Sequence, residues 1–227
     1  MRVVLAIDLK KGYVVHGRSG DRNTYMPLTW GLAHSAEPSS YLVEMKPKYL
    51  YIADLDRIGR CGDHTKQILQ LADKVVELWV DRGCRTPEEY LQKENIHNIV
   101  GTETIEASPK DFNGGFLSVD VIDEHVIGPT FSPETRPTEV LCKTNETNFD
   151  GCILLNISSV GTSSGIDYAY AEQLRSSSSK KLYYGGGVRS IDDLQILSDA
   201  GFDGVIVSTA VHRRTVPLEI IRKGSFC

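Results

Sequence analysis

Two aspartates stand at the ends of apolar runs that echo one another: Asp8 in "VVLAIDL" (3–9) and Asp120 in "FLSVDV" (116–121). Two carboxylates on opposite sides of a bound molecule can serve as proton acceptor and proton donor, once their surroundings separate their pKa values. A strand-end aspartate taken alone is as readily a loop or helix cap, and it is the matched pair that favours chemistry. A second signal is "YYGGGVRSIDD" (183–193), in which Gly185, Gly186 and Gly187 follow an apolar run and lead into a helix. Such a loop lets backbone N–H groups approach an anion, and the helix start adds a favourable dipole. Ser208-Thr209 and "VGTSSG" (160–165), which holds Gly161 and Thr162, supply two further small-residue loops. One glycine triplet is a tight turn; three such loops around one quadrant describe a phosphate pocket.

A damaged copy of the same device lies about a hundred positions earlier. "WVDRGCRTPEE" (79–89) keeps Gly83 and the acidic helix start, but Asp81-Arg82-Gly83 stands where the later copy has three glycines. Gly101-Thr102 would be its companion loop. Asp81 puts negative charge where an anion would bind. Either Arg82 or Arg85 compensates, or Asp81 and Arg85 form an ion pair. The favoured reading is a second phosphate site lost or remodelled.

Other polar residues are less specific. Asp54 and Asp56 close an apolar run; one of them orients substrate, or both hold loop backbone. The stretch "VHGRSGDRNTY" (15–25) is long enough for a lid, with His16 and Arg18 as substrate contacts. His64, His97, His125 and His212 lack metal-ligand spacing, and there is no nucleophile-elbow motif. Neither a metal nor a cofactor is expected.

These residues need a scaffold. Near-continuous apolar runs at 2–8, 49–54, 75–80, 97–101, 115–121, 151–157, 181–186 and 204–208 read as strands covered on both faces. Helical patterns fall between them at 38–46, 64–74, 87–94, 137–144, 168–176, 191–201 and 217–223, with barely one turn at 108–112. Eight strands alternating with about eight helices predict a (β/α)8 TIM barrel over 1–227 as one domain; an open doubly wound sheet is the runner-up. An internal repeat decides for the barrel. "GCRTPEEYL" (83–91) aligns with "GVRSIDDLQ" (187–195), "VVLAIDL" with "FLSVDV", and "ADLDRIGRCG" (53–62) loosely with "LNISSVGTSSG" (155–165). Two half-barrels of four units explain all three, and they place Asp8 and Asp120 opposite each other at the C-terminal mouth.

Composition excludes other classes. The formal net charge is −5 and no basic stripe is present, so nucleic acid is not an expected partner. No apolar run approaches a membrane span, and "MRVVLAIDL" passes directly into a strand pattern rather than a signal peptide. Five scattered cysteines without a CxxC read as reduced thiols. A cytoplasmic protein follows, monomeric or a weak homo-oligomer.

The stretches "AIDLKKGYVVHGRSGD", "IADLDRIG", "GCRTPEEY", "SVDV", "GTSSGID", "GGGVRSIDDL" and "GVIVSTAV" resemble the HisA/HisF family of histidine biosynthesis over essentially the whole chain. The resemblance implies a ribulose-phosphate-binding barrel of half-barrel symmetry with two phosphate sites. Its isomerase branch performs a cofactor-free Amadori rearrangement with one acid and one base. By resemblance Asp8 and Asp120 take those roles. Gly161, Gly186, Ser208 and Thr209 match the second-half phosphate site, and Gly83, Gly101 and Thr102 the first. The chain departs from the family at Leu155, at Val160-Gly161-Thr162 and at His16, where the family carries polar groups or arginine. It is similar in this to the divergent HisA/HisF-related group of methanogenic archaea and one-carbon-metabolising bacteria, for which a role in pterin or furan cofactor synthesis is suspected. Three functions are therefore weighed: an enzyme on a monophosphorylated substrate, a true phosphoribosylformimino-AICAR-phosphate (ProFAR) isomerase, and a non-catalytic phosphate-ligand-binding barrel.

Overall fold

The computed structural model describes residues 1–17, 21–159 and 165–226. Eight strands run parallel around a barrel: β1 (Arg2–Lys10), β3 (Tyr49–Asp54), β4 (Glu77–Asp81), β5 (Ile96–Gly101), β6 (Phe116–Ile122), β8 (Gly151–Asn156), β9 (Lys181–Gly185) and β10 (Gly204–Val207). The sheet closes where β10 pairs with β1, from Arg2 opposite Gly204 to Leu5 opposite Val207. The alternation of elements thus gives the closed barrel and not the open sheet.

Strand parity sorts the side chains. Along β1, Val3, Leu5, Ile7 and Leu9 face the helices, while Val4 belongs to the cluster inside the barrel. That inner cluster includes Tyr49, Tyr51, Trp79, Ile99, Phe116, Ile153, Tyr183 and Ile206. Because successive side chains point to opposite faces, Asp8, Ala53, Asp81, Gly101, Asp120, Leu155 and Gly185 share the parity of this inner cluster. They form the last inner layer before the mouth.

The half-barrel repeat is visible in two hairpins that the strand patterns did not foretell. β1 turns back into β2 (Tyr13–Val15) and β6 into β7 (His125–Val126). Both use two-residue turns with positive φ throughout, Lys11-Gly12 in one and Asp123-Glu124 in the other, as the twist of a tight hairpin demands. Val15 sits opposite Asp8, and Ile127 N–H donates to the Asp120 carbonyl at 2.9 Å, the same offset in each half.

The outer layer holds α1 (Pro38–Met45), α3 (Thr65–Ala72), α4 (Pro137–Thr144), α5 (Tyr168–Ser176), α6 (Ile191–Asp199) and α8 (Leu218–Lys223), with single turns α2 (Leu55–Ile58) and α7 (Thr209–His212) at the mouth. Side-chain caps start several of them: Glu37 accepts from Ser39 and Ser40 N–H, Asp167 from Tyr170 N–H, and Ser190 from Asp192 N–H.

The helix expected at 87–94 does not form. Only a 3-10 turn, Pro87–Glu89, is present, and Tyr90 is already extended. The Asn98 side chain captures the segment instead, accepting from Leu91 N–H at 2.8 Å and donating to Leu91 O at 3.0 Å. Those tertiary bonds replace the helical ladder, as local propensity alone cannot foresee. Between β5 and β6 the single turn expected at 108–112 appears as Pro109–Asp111.

Candidate active site at the barrel mouth

The register of the sheet builds the site. In the first half Asp8, Ala53 and Asp81 are direct neighbours on β1, β3 and β4; in the second half Asp120, Leu155 and Gly185 are neighbours on β6, β8 and β9. The two triplets correspond position for position. Asp8 answers to Asp120, and Asp81 stands where the other half has Gly185.

A cavity opens over this layer. Its walls include Asp8, Asp81 and Asp120, the loop residues His16, Arg22 and Tyr25, the apolar Leu155 and Ile157, and Gly186, Gly187, Ser208 and Thr209. Among the described residues no hydrogen-bond donor reaches the Asp8 carboxylate. Asp120 is the opposite case: it is buried and accepts from Ser118 Oγ at 2.7 Å, Glu103 N–H at 3.1 Å and Thr102 Oγ1 at 3.4 Å. Gly101, beside it, leaves room for the carboxylate and little more, since a Cβ there would lie 2.9 Å from Asp120 Oδ2.

Burial raises all three carboxyl pKa values. Asp8 moves up to about 6, with the Arg22 guanidinium pulling back and Asp81 pushing further. Asp120 moves up to about 7 through burial and then the charge of Asp81, against the hydrogen bond from Ser118 and the Glu103 N–H. Asp81 rises to about 6 for the same first reason, tempered by the Gly83 N–H. A cation beside Asp8 and an anion beside Asp120 separate the two in the sense that acid–base work requires, with Asp8 the readier base and Asp120 the readier acid.

These shifts carry a stability consequence. Between the ordinary carboxylate value of 3.8 and about 7, the folded chain binds more protons than the unfolded one, so stability falls as pH rises through that window. Asp8→Asn removes one contribution, and among the described residues it costs no hydrogen bond. It should stabilise the fold at pH 8 by on the order of 1–2 kcal/mol and converge with the wild type near pH 4. Urea midpoints at both pH values check this; a variant no more stable at pH 8 would deny that Asp8 is strained by its burial.

The remaining expected residues divide. Gly186 and Gly187 have φ of +97° and +78° and line the cavity with Ser208 and Thr209, whereas Gly185 is buried beneath them against Leu155 and Ile206. On the first-half side, Gly83 N–H is taken up internally by Asp81 Oδ1 at 2.9 Å, and Ile58 packs over that glycine. Thr102 faces Asp120, donating to its carboxylate and accepting its N–H at 2.9 Å. Arg82 turns away from the mouth to Asp63 at 3.1 Å and to Thr65. Arg85 pairs with Glu106 and with the carbonyls of Gly83 and Ile58, not with Asp81.

Asp54 and Asp56 hold loop backbone. Asp54 shares the outward parity of Leu50 and Ile52, and it accepts from Arg57 N–H, His64 N–H and His64 Nδ1. Asp56 accepts from Lys11 N–H at 2.8 Å. His16 lines the cavity and sits edge-on to Trp30 at 4.8 Å. Arg18, Gly161 and Thr162 lie outside the described residues.

Sequence reasoning missed Arg22 and Glu103. Arg22, inside the stretch read as a lid, reaches Glu103 with two hydrogen bonds of 2.9 and 2.6 Å and so straps the first loop to the loop after β5. The signal was a lone arginine beside Asp21, too common to single out. Among the described residues no group of three His, Cys, Asp or Glu is arranged to hold a metal, and no helix is long and apolar enough to cross a membrane.

The eight parallel strands closed with flanking helices define a (β/α)8 barrel, the fold in which sites are built at the C-terminal mouth. The family profile described as "Histidine biosynthesis protein" matches residues 2–217, and the chain belongs to this HisA/HisF family. It is 30% identical over 233 residues to an uncharacterised protein of Methanocaldococcus jannaschii, covering 97% of each chain. Two further relatives are named 1-(5-phosphoribosyl)-5-((5-phosphoribosylamino)methylideneamino)imidazole-4-carboxamide isomerase, that is, ProFAR isomerase. That of Methanosphaera stadtmanae is 25% identical, covering 96% of this chain and 97% of its own, and that of Methanothermobacter thermautotrophicus is 25% identical, covering 96% of each.

Proposed function

We propose that this chain is a HisA-like acid–base enzyme that isomerises, or carries out a related proton transfer on, a small molecule bearing one phosphate. Asp8 takes a proton from the carbon next to a carbonyl or iminium group, and Asp120 delivers a proton to the oxygen or nitrogen across from it. The phosphate rests on the backbone of Gly186 and Gly187 and on Ser208 and Thr209, with Gly161 and Thr162 as further candidates.

The observation that carries the single phosphate is the bond from Gly83 N–H to Asp81. In the first half, the backbone donor that a phosphate would use already has a carboxylate. Leu155 supports the same reading, because it presents an apolar side chain to the cavity beside Asp120. The retained aspartate pair, with the names of the relatives at 25% identity, supports a second reading, true ProFAR isomerase.

Complementation separates the two. A histidine-requiring strain lacking the isomerase is supplied with this chain, and soluble folded protein is verified in the same cells. No growth is expected. Growth would overturn the monophosphate reading, and failure with folded protein overturns the strict isomerase.

A further inference from the structure

The chemistry of the first-half rim goes further than the loss of a phosphate. Asp81 is only 7% exposed, yet it lines the cavity two registered strands from Asp8. The cations nearby are engaged. Arg57 is held by Glu89 at 2.8 Å, Arg82 by Asp63, Arg85 by Glu106 and two carbonyls, and Arg22 by Glu103. A phosphate at this end would find its backbone donor occupied and would face the carboxylates of Asp8, Asp81 and Asp120. Like charges at such a place are rejected, while a group that brings hydrogen-bond donors and positive charge is favoured. The opposite end of the same cavity offers the backbone of Gly186 and Gly187. The cavity is therefore polarised, with the glycine loop after β9 at one end and the carboxylates of Asp8, Asp81 and the second-half Asp120 towards the other.

We infer that Asp81 is the specificity-determining residue of this mouth: it admits a phosphate monoester whose far end carries a protonated amine, and it excludes a bisphosphate. This rests on the monophosphate reading above and adds the identity of the other end. An ammonium group has three donors and no acceptor, and it can donate to the carboxylates of Asp8 and Asp81 together. An Asp-to-Asn change at 81 keeps an oxygen for Gly83 N–H while deleting the charge, so charge and loop structure are tested separately.

The test is calorimetric titration at neutral pH with three matched series of graded chain length: ω-aminoalkyl phosphates, alkyl phosphates and alkane bisphosphates. The best aminoalkyl phosphate is expected to bind the wild type about tenfold or more tightly than the alkyl phosphate of equal length, and the bisphosphate no better than the alkyl compound. Asp81→Asn should erase the amine preference. Asp192→Asn, an exposed acid on α6, should retain it, which excludes a general effect of the protein's negative charge. Equal binding of amino and plain alkyl phosphates, or a preference that survives Asp81→Asn, overturns the inference while leaving the monophosphate reading intact. If no monoester binds the wild type at any length, the monophosphate reading itself falls.

Discussion

Asp8→Asn is expected to lower turnover by a factor on the order of 10²–10⁴ while leaving phosphate binding unchanged. The substitution is nearly isosteric, and among the described residues no donor hydrogen-bonds to Asp8, so no bond to a described residue is lost with it. What is lost is the only property the proposal asks of this residue, an oxygen that can accept a proton. The readout is deuterium incorporation at the carbon next to the carbonyl when phosphorylated aldoses and amino sugars are incubated with the enzyme in D2O. A wild-type substrate found this way should exchange, and Asp8→Asn should not. Because Asp8 rises to about 6 and Asp120 to about 7, exchange needs the first ionised and the second protonated, giving a bell-shaped rate profile peaking between those values. Asp120→Asn should also abolish exchange. It is the less clean variant, because its new amide group would face the Ser118 hydroxyl and the Glu103 N–H that now donate to the carboxylate. Exchange within a few-fold of wild type in Asp8→Asn would leave the non-catalytic barrel as the better account. Paired with the predicted gain in stability at pH 8, loss of exchange would mark Asp8 as a residue kept for chemistry at the expense of the fold.

The barrel and its carboxylate pair were legible because both rest on periodic signals. Fully buried parallel strands write themselves as unbroken apolar runs, and a duplicated half-barrel writes the same functional position twice. Asp81 was visible for the same reason, as the acid standing where the other copy has a glycine, although only the folded loop makes it the intramolecular partner of Gly83. Asp54 shows information present and unused: parity with Leu50 and Ile52 already turns it away from the mouth. Arg22 and Glu103 show information that was absent. They are 81 positions apart, their pairing follows no period, and only the closure of the barrel brings their loops together. The failed helix at 87–94 belongs to the same class, since an asparagine on the next strand decides it.

Gly186→Ala is expected to weaken phosphate binding and to destabilise the fold together. Gly186 has φ of +97°, and a Cβ on it would fall 2.2 Å from the Asn156 carbonyl oxygen at the end of β8. The left-handed backbone alone costs a side chain about 1–3 kcal/mol. The clash adds to this, and its relief must move the loop whose N–H groups are proposed to hold the anion. Backbone donors cannot be replaced from elsewhere once they are re-aimed, so phosphate affinity should fall more than about tenfold, the loss of roughly one charge-assisted bond. Gly12→Ala supplies the comparison. Its φ is +82° but a Cβ there meets nothing within 4 Å, so it bears the backbone strain without the collision. That variant should lose stability alone and bind inorganic phosphate as the wild type does. Urea denaturation and phosphate titration of the two variants side by side separate strain from site. If Gly186→Ala still bound phosphate normally, the anion would have to rest elsewhere in the mouth, and the correspondence between Gly185 and Asp81 would lose its functional meaning.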